Sequence, residues 1–202
     1  GSIRTITVDG DSSDWVGVVP AYVNENGVNN PTGVDFQEVY LANDADFLYI
    51  RFTLQQPADP ISAWSTYIWL DNDNSSATGF HPFGNPNFGS SLMIINDQAY
   101  QQAGGGWNEG TLTTAGAAYG ASAIPGTDFE FKIARNVTGV AGDFAGLPLL
   151  NGDPIGVQLA SETGTADSLP GWSNYGDVYY TMATVPEPTT FALLGVGALL
   201  FS

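Results

Sequence analysis

Short runs of alternating apolar and polar residues, each broken off by glycine or proline, recur along this chain of 202 residues. Glycine occurs 25 times and proline 12 times, between runs that are rich in β-branched and aromatic residues. No long window before position 185 shows the period of about 3.6 residues that an amphipathic helix requires. Because successive side chains of a strand point to opposite faces of a sheet, this pattern predicts strands rather than helices.

The strand-like runs are spread over the whole chain. The clearest are IRTITV (3–8), FQEVYLAND (36–44), DFLYIRFTL (46–54), STYIWLD (65–71), SSLMIIND (90–97), DFEFKIAR (128–135), PIGVQLAS (154–161) and DVYYTMAT (177–184). In DFEFKIAR, we expect Phe129, Phe131 and Ile133 on one face, and Glu130 and Lys132 on the other. About nine or ten such strands, with a turn about every 8–12 residues, predict an all-β fold. The expected architecture is an antiparallel β-sandwich or jelly roll over residues 1–184.

The chain is strongly acidic, with 21 Asp and Glu residues against four Lys and Arg and a net charge of −17. Nucleic-acid binding needs basic side chains at phosphates, and only Arg4, Arg51, Lys132 and Arg135 are available. We therefore expect no nucleic-acid partner. The acidity suits a protein that stays soluble outside a cell, or one whose carboxylates hold cations. The lack of cysteine excludes disulfides and thiolate metal sites.

The stretch WLDNDNSSATGF (69–80) places several oxygen-bearing side chains directly after a predicted strand. Carboxylates two residues apart, such as Asp71 and Asp73, converge on one hard cation when the loop turns back, and Asn74 adds a further oxygen. Gly79 allows such a turn. We predict a Ca²⁺ site at Asp71, Asp73 and Asn74. An Asx-rich loop without metal is the open alternative.

A second acidic stretch, DGDSSDW (9–15), precedes Trp15. Asp and Ser commonly cap turns, so a structural role with Trp15 in the core is favoured over a metal site.

Aromatic side chains in glycine-rich polar loops indicate a sugar-binding surface. The chain has five tryptophans and nine tyrosines, and aromatic rings stack on the apolar faces of sugars. Trp107 lies in GGGWNEG (104–110), and Trp172 and Tyr175 lie in GWSNY (171–175). We predict these three as carbohydrate-binding residues, against the alternative that each is a core residue.

Catalytic signals are weak. His81 is the chain's one histidine and precedes a proline, and no nucleophile-elbow sequence accompanies it. Acidic residues are plentiful, but no pair stands in an apolar setting that would raise the pKa of a general acid. We predict that the protein is not an enzyme.

The chain closes with VPEPTTFALLGVGALLFS (185–202), an apolar stretch shorter than the roughly 20 residues of a spanning helix. The Pro-Glu-Pro motif and the apolar residues after it resemble the PEP-CTERM sorting signal of Gram-negative bacteria. The resemblance implies a short apolar helix, export to the cell surface, and recognition by exosortase, a membrane-embedded enzyme. The family's arginine cluster is not found after Phe201. The residues expected to serve sorting or assembly are Pro186, Glu187, Pro188, Phe191, Leu193 and Leu194.

The body of the chain carries a second resemblance. TVDGDSSDW, VYLANDADFLYIRF and WLDNDNSSATGF are similar to stretches of family-nine carbohydrate-binding modules. That resemblance implies a β-sandwich, commonly stabilised by calcium, that binds sugars through aromatic residues. NFGSSLMI (87–94) stands where the family often has an acidic-aromatic pair.

Two functions fit these features. A structural subunit of a surface layer, fibre or biofilm matrix would have other copies of itself as partners, and the apolar tail favours this interpretation. The alternative is a module that attaches exopolysaccharide at the cell surface. We predict the structural subunit, with calcium as a stabiliser.

Overall fold

A computed structural model describes residues 1–24, 30–61, 66–162, 167–170 and 178–184 of the chain. This part contains eleven β-strands. They are β1 Tyr22–Val23, β2 Phe36–Asn43, β3 Phe47–Ala58, β4 Thr66–Asp71, β5 Leu92–Ile95, β6 Gln98–Gln101, β7 Ala118–Ala121, β8 Gly126–Ala134, β9 Ile155–Ser161, β10 Asp167–Leu169 and β11 Val178–Tyr180.

The strands form two antiparallel sheets. Sheet A has the order β1-β2-β3-β8-β7, and sheet B has the order β10-β9-β4-β5-β6, with β11 also paired to β9. Sheet A is joined in its middle by β3 and β8, which are far apart in sequence and pair in register from Phe47 opposite Ala134 to Thr53 opposite Asp128. The predicted antiparallel β-sandwich is confirmed.

Helical structure in the described residues is limited to 3-10 turns at Ser12–Trp15, Pro82–Gly84 and Gly142–Phe144. None of the helices in these ranges is long and apolar enough to cross a membrane. The predicted short helix after residue 184 lies outside the described residues.

The main core lies between the two sheets and follows from the alternation of side chains along each strand. Phe129, Phe131 and Ile133 of β8 all point into it, as the sequence predicts. The ring of Phe52 lies 5.4 Å from that of Phe129 and 5.7 Å from that of Phe131, both in stacked geometry. Each fully buried side chain of this kind contributes about 1.5–3 kcal/mol to stability, so this layer holds the sheets together.

The N-terminal segment packs across the outer face of sheet A. Ile6 and Trp15 are buried there against Tyr49. The prediction that residues 3–8 form a strand is wrong, because only Ile3 makes a bridge, to Asn43, and the rest of the segment has no ladder. Its alternation instead reflects burial of Ile6 against the face of the sheet.

Glu130 fixes this segment to sheet A from a buried position on β8. Its carboxylate accepts hydrogen bonds from Trp15 Nε1 at 2.7 Å, Gly10 N at 2.8 Å and Asp9 N at 3.2 Å. Burial raises the pKa of Glu130 despite these donors. Gly10 has a φ of +84°, which only glycine adopts readily, and this turns its N–H toward the carboxylate. The predicted capping turn with Trp15 in the core is confirmed.

Candidate functional site

The outer face of sheet B carries a layer of aromatic side chains. Along β4, Ile68 and Leu70 enter the main core, so Tyr67 and Trp69 point to the opposite face. The rings of Tyr67 and Trp69 stack with their centroids 4.9 Å apart. Both faces of this strand are therefore apolar, although only one of them packs between the sheets.

Two loops extend this layer to the surface. Phe83 lies edge-on to Trp69, at 5.3 Å, and to Tyr67, at 6.3 Å. Trp107 lies edge-on to Tyr67, at 5.5 Å, and to Phe80, at 5.4 Å. Phe83 is 45% exposed and Trp107 is 43% exposed, so solvent reaches the outer rings of the cluster. We call these five side chains (Tyr67, Trp69, Phe80, Phe83 and Trp107) the aromatic face.

Polar atoms at the base of the aromatic face lack protein partners. Three buried atoms form no hydrogen bond within the described residues: Trp69 Nε1, Gln102 Oε1 and Gln158 Oε1. Trp69 and Gln158 stand directly opposite each other on β4 and β9, and so share one face of the sheet. The Gln102 amide is held in place because its Nε2 donates to the carbonyl of Trp107 at 2.8 Å. One donor and two acceptors beside aromatic rings match the hydrogen-bonding needs of hydroxyl groups.

The basic side chains all lie away from the aromatic face. Arg51 pairs with Asp128 on sheet A, and Lys132 lies over the ring of Phe47. The other two are Arg4, which donates to the Asp14 carbonyl, and Arg135, which donates to the Asp44 carbonyl. These are the only four Lys and Arg residues of the chain, so none is available to neutralise an anionic ligand on the aromatic face.

One acidic side chain borders the aromatic face. Tyr67 donates its hydroxyl to Glu162 Oε2 at 3.1 Å. Burial, reinforced by the charge of Glu162, raises the pKa of Tyr67 to about 12. Tyr67 therefore stays protonated at neutral pH and acts as a hydrogen-bond donor with an apolar ring.

The predicted calcium residues lie at the end of β4. Asp71 is buried, and its carboxylate accepts from Asn74 N at 2.8 Å and from Gly89 N at 3.3 Å. The Asp73 carboxylate accepts from Thr78 Oγ1 at 2.8 Å. Burial first, and then contact with Asp73, raises the pKa of Asp71 to about 6.

These two carboxylates are of the donor type that a hard cation prefers, and they lie in contact with each other. They do not complete a site by themselves: no group of three His, Cys, Asp or Glu side chains in the described ranges converges as metal ligands would. Asn74 has a φ of 55° and directs its backbone N–H to Asp71. The calcium site at Asp71, Asp73 and Asn74 remains a prediction.

The other predicted residues divide between the described and undescribed parts of the chain. Trp107 belongs to the aromatic face, whereas Trp172 and Tyr175 lie outside the described residues. The predicted sorting residues also lie outside: Pro186, Glu187, Pro188, Phe191, Leu193 and Leu194. Sequence reasoning missed Tyr67, Trp69 and Gln158. The signal for the first two is the run YIWL, in which aromatic and aliphatic residues alternate, so that both faces must be covered.

Residues 184–202 match the PEP-CTERM protein-sorting motif. The chain carries a PEP-CTERM sorting motif. Proteins with this motif are exported to the cell surface in Gram-negative bacteria, and the predicted location of this protein is thereby confirmed. The PEP-CTERM motif covers only the end of the chain and does not describe the sandwich.

The sandwich, which the PEP-CTERM motif does not cover, was compared with solved structures, and two of one family are similar to it. A carbohydrate binding module of family 9 from Caldicellulosiruptor kristjanssonii, in complex with glucose, has a TM-score of 0.51 and 13% identity, and the match covers 93% of this chain and 96% of that one. A structure of a family 9 module from the same organism with cellotriose has a TM-score of 0.46 and 14% identity, with coverage of 93% and 98%. No curated protein matches the sequence. The first similarity establishes the fold.

Proposed function

We propose that this protein is a non-catalytic surface protein that binds glycan through the aromatic face. The observation that carries the proposal is the pair of exposed rings, Phe83 and Trp107, above buried polar atoms that have no partner within the described residues. Those atoms are Trp69 Nε1, Gln102 Oε1 and Gln158 Oε1. A buried polar atom without a partner costs about 1–3 kcal/mol, and a ligand hydroxyl that bonds it recovers this free energy. The family 9 module of similar fold was solved in complex with glucose, and by analogy this supports the proposal.

The charges favour an uncharged glycan. All four Lys and Arg residues lie elsewhere, and Glu162 borders the site. A uronate or a sulfate group on the aromatic face would have no Lys or Arg side chain of this chain to pair with, so its desolvation would weaken binding. An exopolysaccharide built from neutral sugars is therefore the proposed partner at the cell surface.

Calcium is proposed as a stabiliser and not as a ligand-binding group. Asp71 and Asp73 would supply carboxylate oxygens, and the adjacent loop would supply carbonyl oxygens. Because Asp71 ends β4, which also carries Tyr67 and Trp69, a cation there would stiffen the strand beneath the aromatic face.

Self-assembly ranks below glycan binding, for a reason of sheet geometry. Strand addition needs an open edge, and the edge of β6 is occupied by the segment that follows it. Gln101 N donates to Gly110 O at 3.0 Å, and Leu112 N donates to Ala99 O at 2.8 Å. The two edge strands of sheet A are short: β1 has two residues and β7 has four. A subunit that polymerises stays a prediction, which particle sizing in solution would test.

The test of the proposal is calorimetric titration of the full chain with glucose and cellotriose, followed by neutral and uronate-containing polysaccharides. Trp107→Ala and Gln158→Ala should each weaken binding about tenfold or more, equivalent to about 1.4 kcal/mol. Leu147→Ala is the matched control, because Leu147 is 52% exposed and lies outside the aromatic face.

If both site variants kept the wild-type affinity, the binding site would lie outside the aromatic face. Tighter binding of the uronate polymers than of neutral ones would overturn the proposed ligand class. The circular dichroism spectrum of each variant should match that of the wild type, so that a loss of binding cannot be attributed to unfolding.

A further inference from the structure

The described chain leaves the fold at a defined corner of the sandwich. After β11, the backbone of Ala183 is held by Asn43, at the end of β2, with Asn43 Oδ1 accepting the Ala183 N–H at 2.8 Å. The hydroxyl of Tyr180 donates to the same Asn43 Oδ1 at 2.7 Å, and Ser2 N donates to that hydroxyl at 3.2 Å. The sorting motif begins at residue 184, immediately after this anchor point.

Exposed aliphatic side chains surround this exit. Val16 is 72% exposed, Val19 is 79% exposed and Ile3 is 48% exposed. Ile3 is adjacent to the exit because its backbone bridges to Asn43. A groove of about 250 Å³ connects Val19, and Gly17 next to Val16, with Ser2 and Tyr180 at the exit. We call Ile3, Val16 and Val19 the exit patch.

We propose that the exit patch rests on the lipid bilayer while the apolar segment after Pro188 is in the membrane. Only VPEPTT (185–190) separates the last described residue from Phe191, where the apolar run begins. Six residues span at most roughly 20 Å when fully extended, so the corner of the sandwich cannot leave the membrane surface by more than that distance. Tethered this closely, exposed aliphatic side chains next to the exit gain free energy by entering the interfacial region.

The contact is apolar rather than electrostatic. Arg4 and Arg135 lie at this corner, but each donates to a carbonyl oxygen of an acidic residue, Asp14 and Asp44 respectively. The whole chain has a net charge of −17, so the domain as a whole is not attracted to anionic lipid. The contact should therefore not depend on anionic lipid, and it does not depend on whether the aromatic face binds glycan.

The bilayer, rather than the chain's own apolar segment or a second copy, is the occupant that the tether favours. Whenever the apolar segment after Pro188 is inserted, the bilayer lies next to the exit patch. A second copy would have to enter the narrow space between that patch and the membrane surface. The other occupants are separate outcomes of the experiment.

The experiment uses single-cysteine labels, which is straightforward because the chain has no cysteine. Val16→Cys and Val19→Cys in the full chain are labelled with a nitrobenzoxadiazole fluorophore and mixed with phosphatidylcholine vesicles. Quenching by aqueous dithionite should become several-fold slower with vesicles than without them. Vesicles that include phosphatidylglycerol should give no greater protection, and raised salt should not weaken the protection.

Ile124→Cys is the matched control, because Ile124 is 46% exposed and lies in the β7–β8 turn at the opposite end of the sandwich. Its quenching rate should not change when vesicles are added. Equal rates at Val16 and Ile124 with vesicles present would overturn the proposal. Protection of Val16 without vesicles would also overturn the proposal. If deleting residues 185–202 removed that protection, the chain's own apolar segment would cover the exit patch. If the protection depended on protein concentration, a second copy would cover it.

Discussion

The side chain of Asn43 pairs with the backbone of Ala183 as a neighbouring strand would. Its Oδ1 accepts the Ala183 N–H at 2.8 Å, and its Nδ2 donates to the Ala183 carbonyl at 3.0 Å. The same side chain accepts the hydroxyl of Tyr180 and is fully buried. The Asn43 amide thus makes the hydrogen bonds that a neighbouring strand would make to Ala183, at the point where the chain leaves the sandwich.

Asn43→Ala should lower the free energy of unfolding by on the order of 2 kcal/mol, because it leaves buried donors and an acceptor unpaired. Urea denaturation measures this loss, and hydrogen exchange should show faster exchange at Ala183. The control is Asn108→Ala, which removes only a local bond to Gly110 N from an exposed loop and should cost less than about 0.5 kcal/mol. A similar cost for the two variants would show that the pairing with Ala183 contributes little.

Two buried tryptophans should respond differently to the same substitution. Trp15→Phe removes the donor at 2.7 Å from Glu130, and bonds to charged groups contribute about 1.5–3 kcal/mol. Trp69→Phe removes an indole N–H that has no partner within the described residues, so the relief of that buried donor offsets part of the lost packing. Thermal unfolding should therefore show the larger decrease for Trp15→Phe. A larger decrease for Trp69→Phe would mean that its N–H is satisfied in the free protein.

The raised pKa of Asp71 predicts a pH dependence of stability. Its carboxyl titrates at about 6 in the folded protein against an ordinary value of 3.8, so the folded state binds more protons between these values. The free energy of unfolding should accordingly fall by on the order of 2 kcal/mol as the pH rises from 3.8 to about 6. Asp167, with a pKa also raised to about 6 by burial, acts in the same direction.

The measurement is urea denaturation in a chelator across this pH range, for the wild type and Asp71→Asn. The difference between the two curves isolates Asp71 from Asp167 and should shrink toward acidic pH. A constant difference would mean that the carboxyl titrates at its ordinary pKa.

Calcium should raise the melting temperature at neutral pH, because a cation between Asp71 and Asp73 relieves the repulsion of two nearby carboxylates. At about a hundred times its dissociation constant, calcium would add about 2.7 kcal/mol. Asp71→Asn and Asp73→Asn should abolish the shift, whereas Asp97→Asn, at an exposed turn between β5 and β6, should not. An unchanged melting temperature in calcium and in chelator would leave the loop as a metal-free Asx turn.

The sequence predicted a strand correctly where the segment is both buried in the sandwich and paired with neighbouring strands. DFEFKIAR and PIGVQLAS alternate or stay apolar because β8 and β9 lie inside their sheets, and their positions match the structure. IRTITV alternates equally well, but among the described residues only its Ile3 bridges to a strand. β1 and β10 were missed because two or three residues carry too little pattern. The pairing of β3 with β8 is long-range and leaves no mark on either sequence.

The aromatic face could be predicted only in part. Trp107 is recognisable because it stands in a glycine-rich loop, where a core tryptophan is unusual. Tyr67 and Trp69 sit in a strand, and alternation alone does not say which face of a strand lies between the sheets. Gln158 becomes informative only through its register with Trp69, which the sequence does not contain.

The position of β11 determines how the protein would carry mechanical load. A pull on the membrane segment enters at Ala183 and reaches β11, which pairs with β9, and β9 pairs with β4. Ladder hydrogen bonds run perpendicular to the strands, so tension along the strands loads them together in shear. Gln158 and Trp69 lie on β9 and β4, so tension between a bound glycan and the cell envelope would run along sheet B, and the pairing of Asn43 with Ala183 would pass part of it to β2 of sheet A.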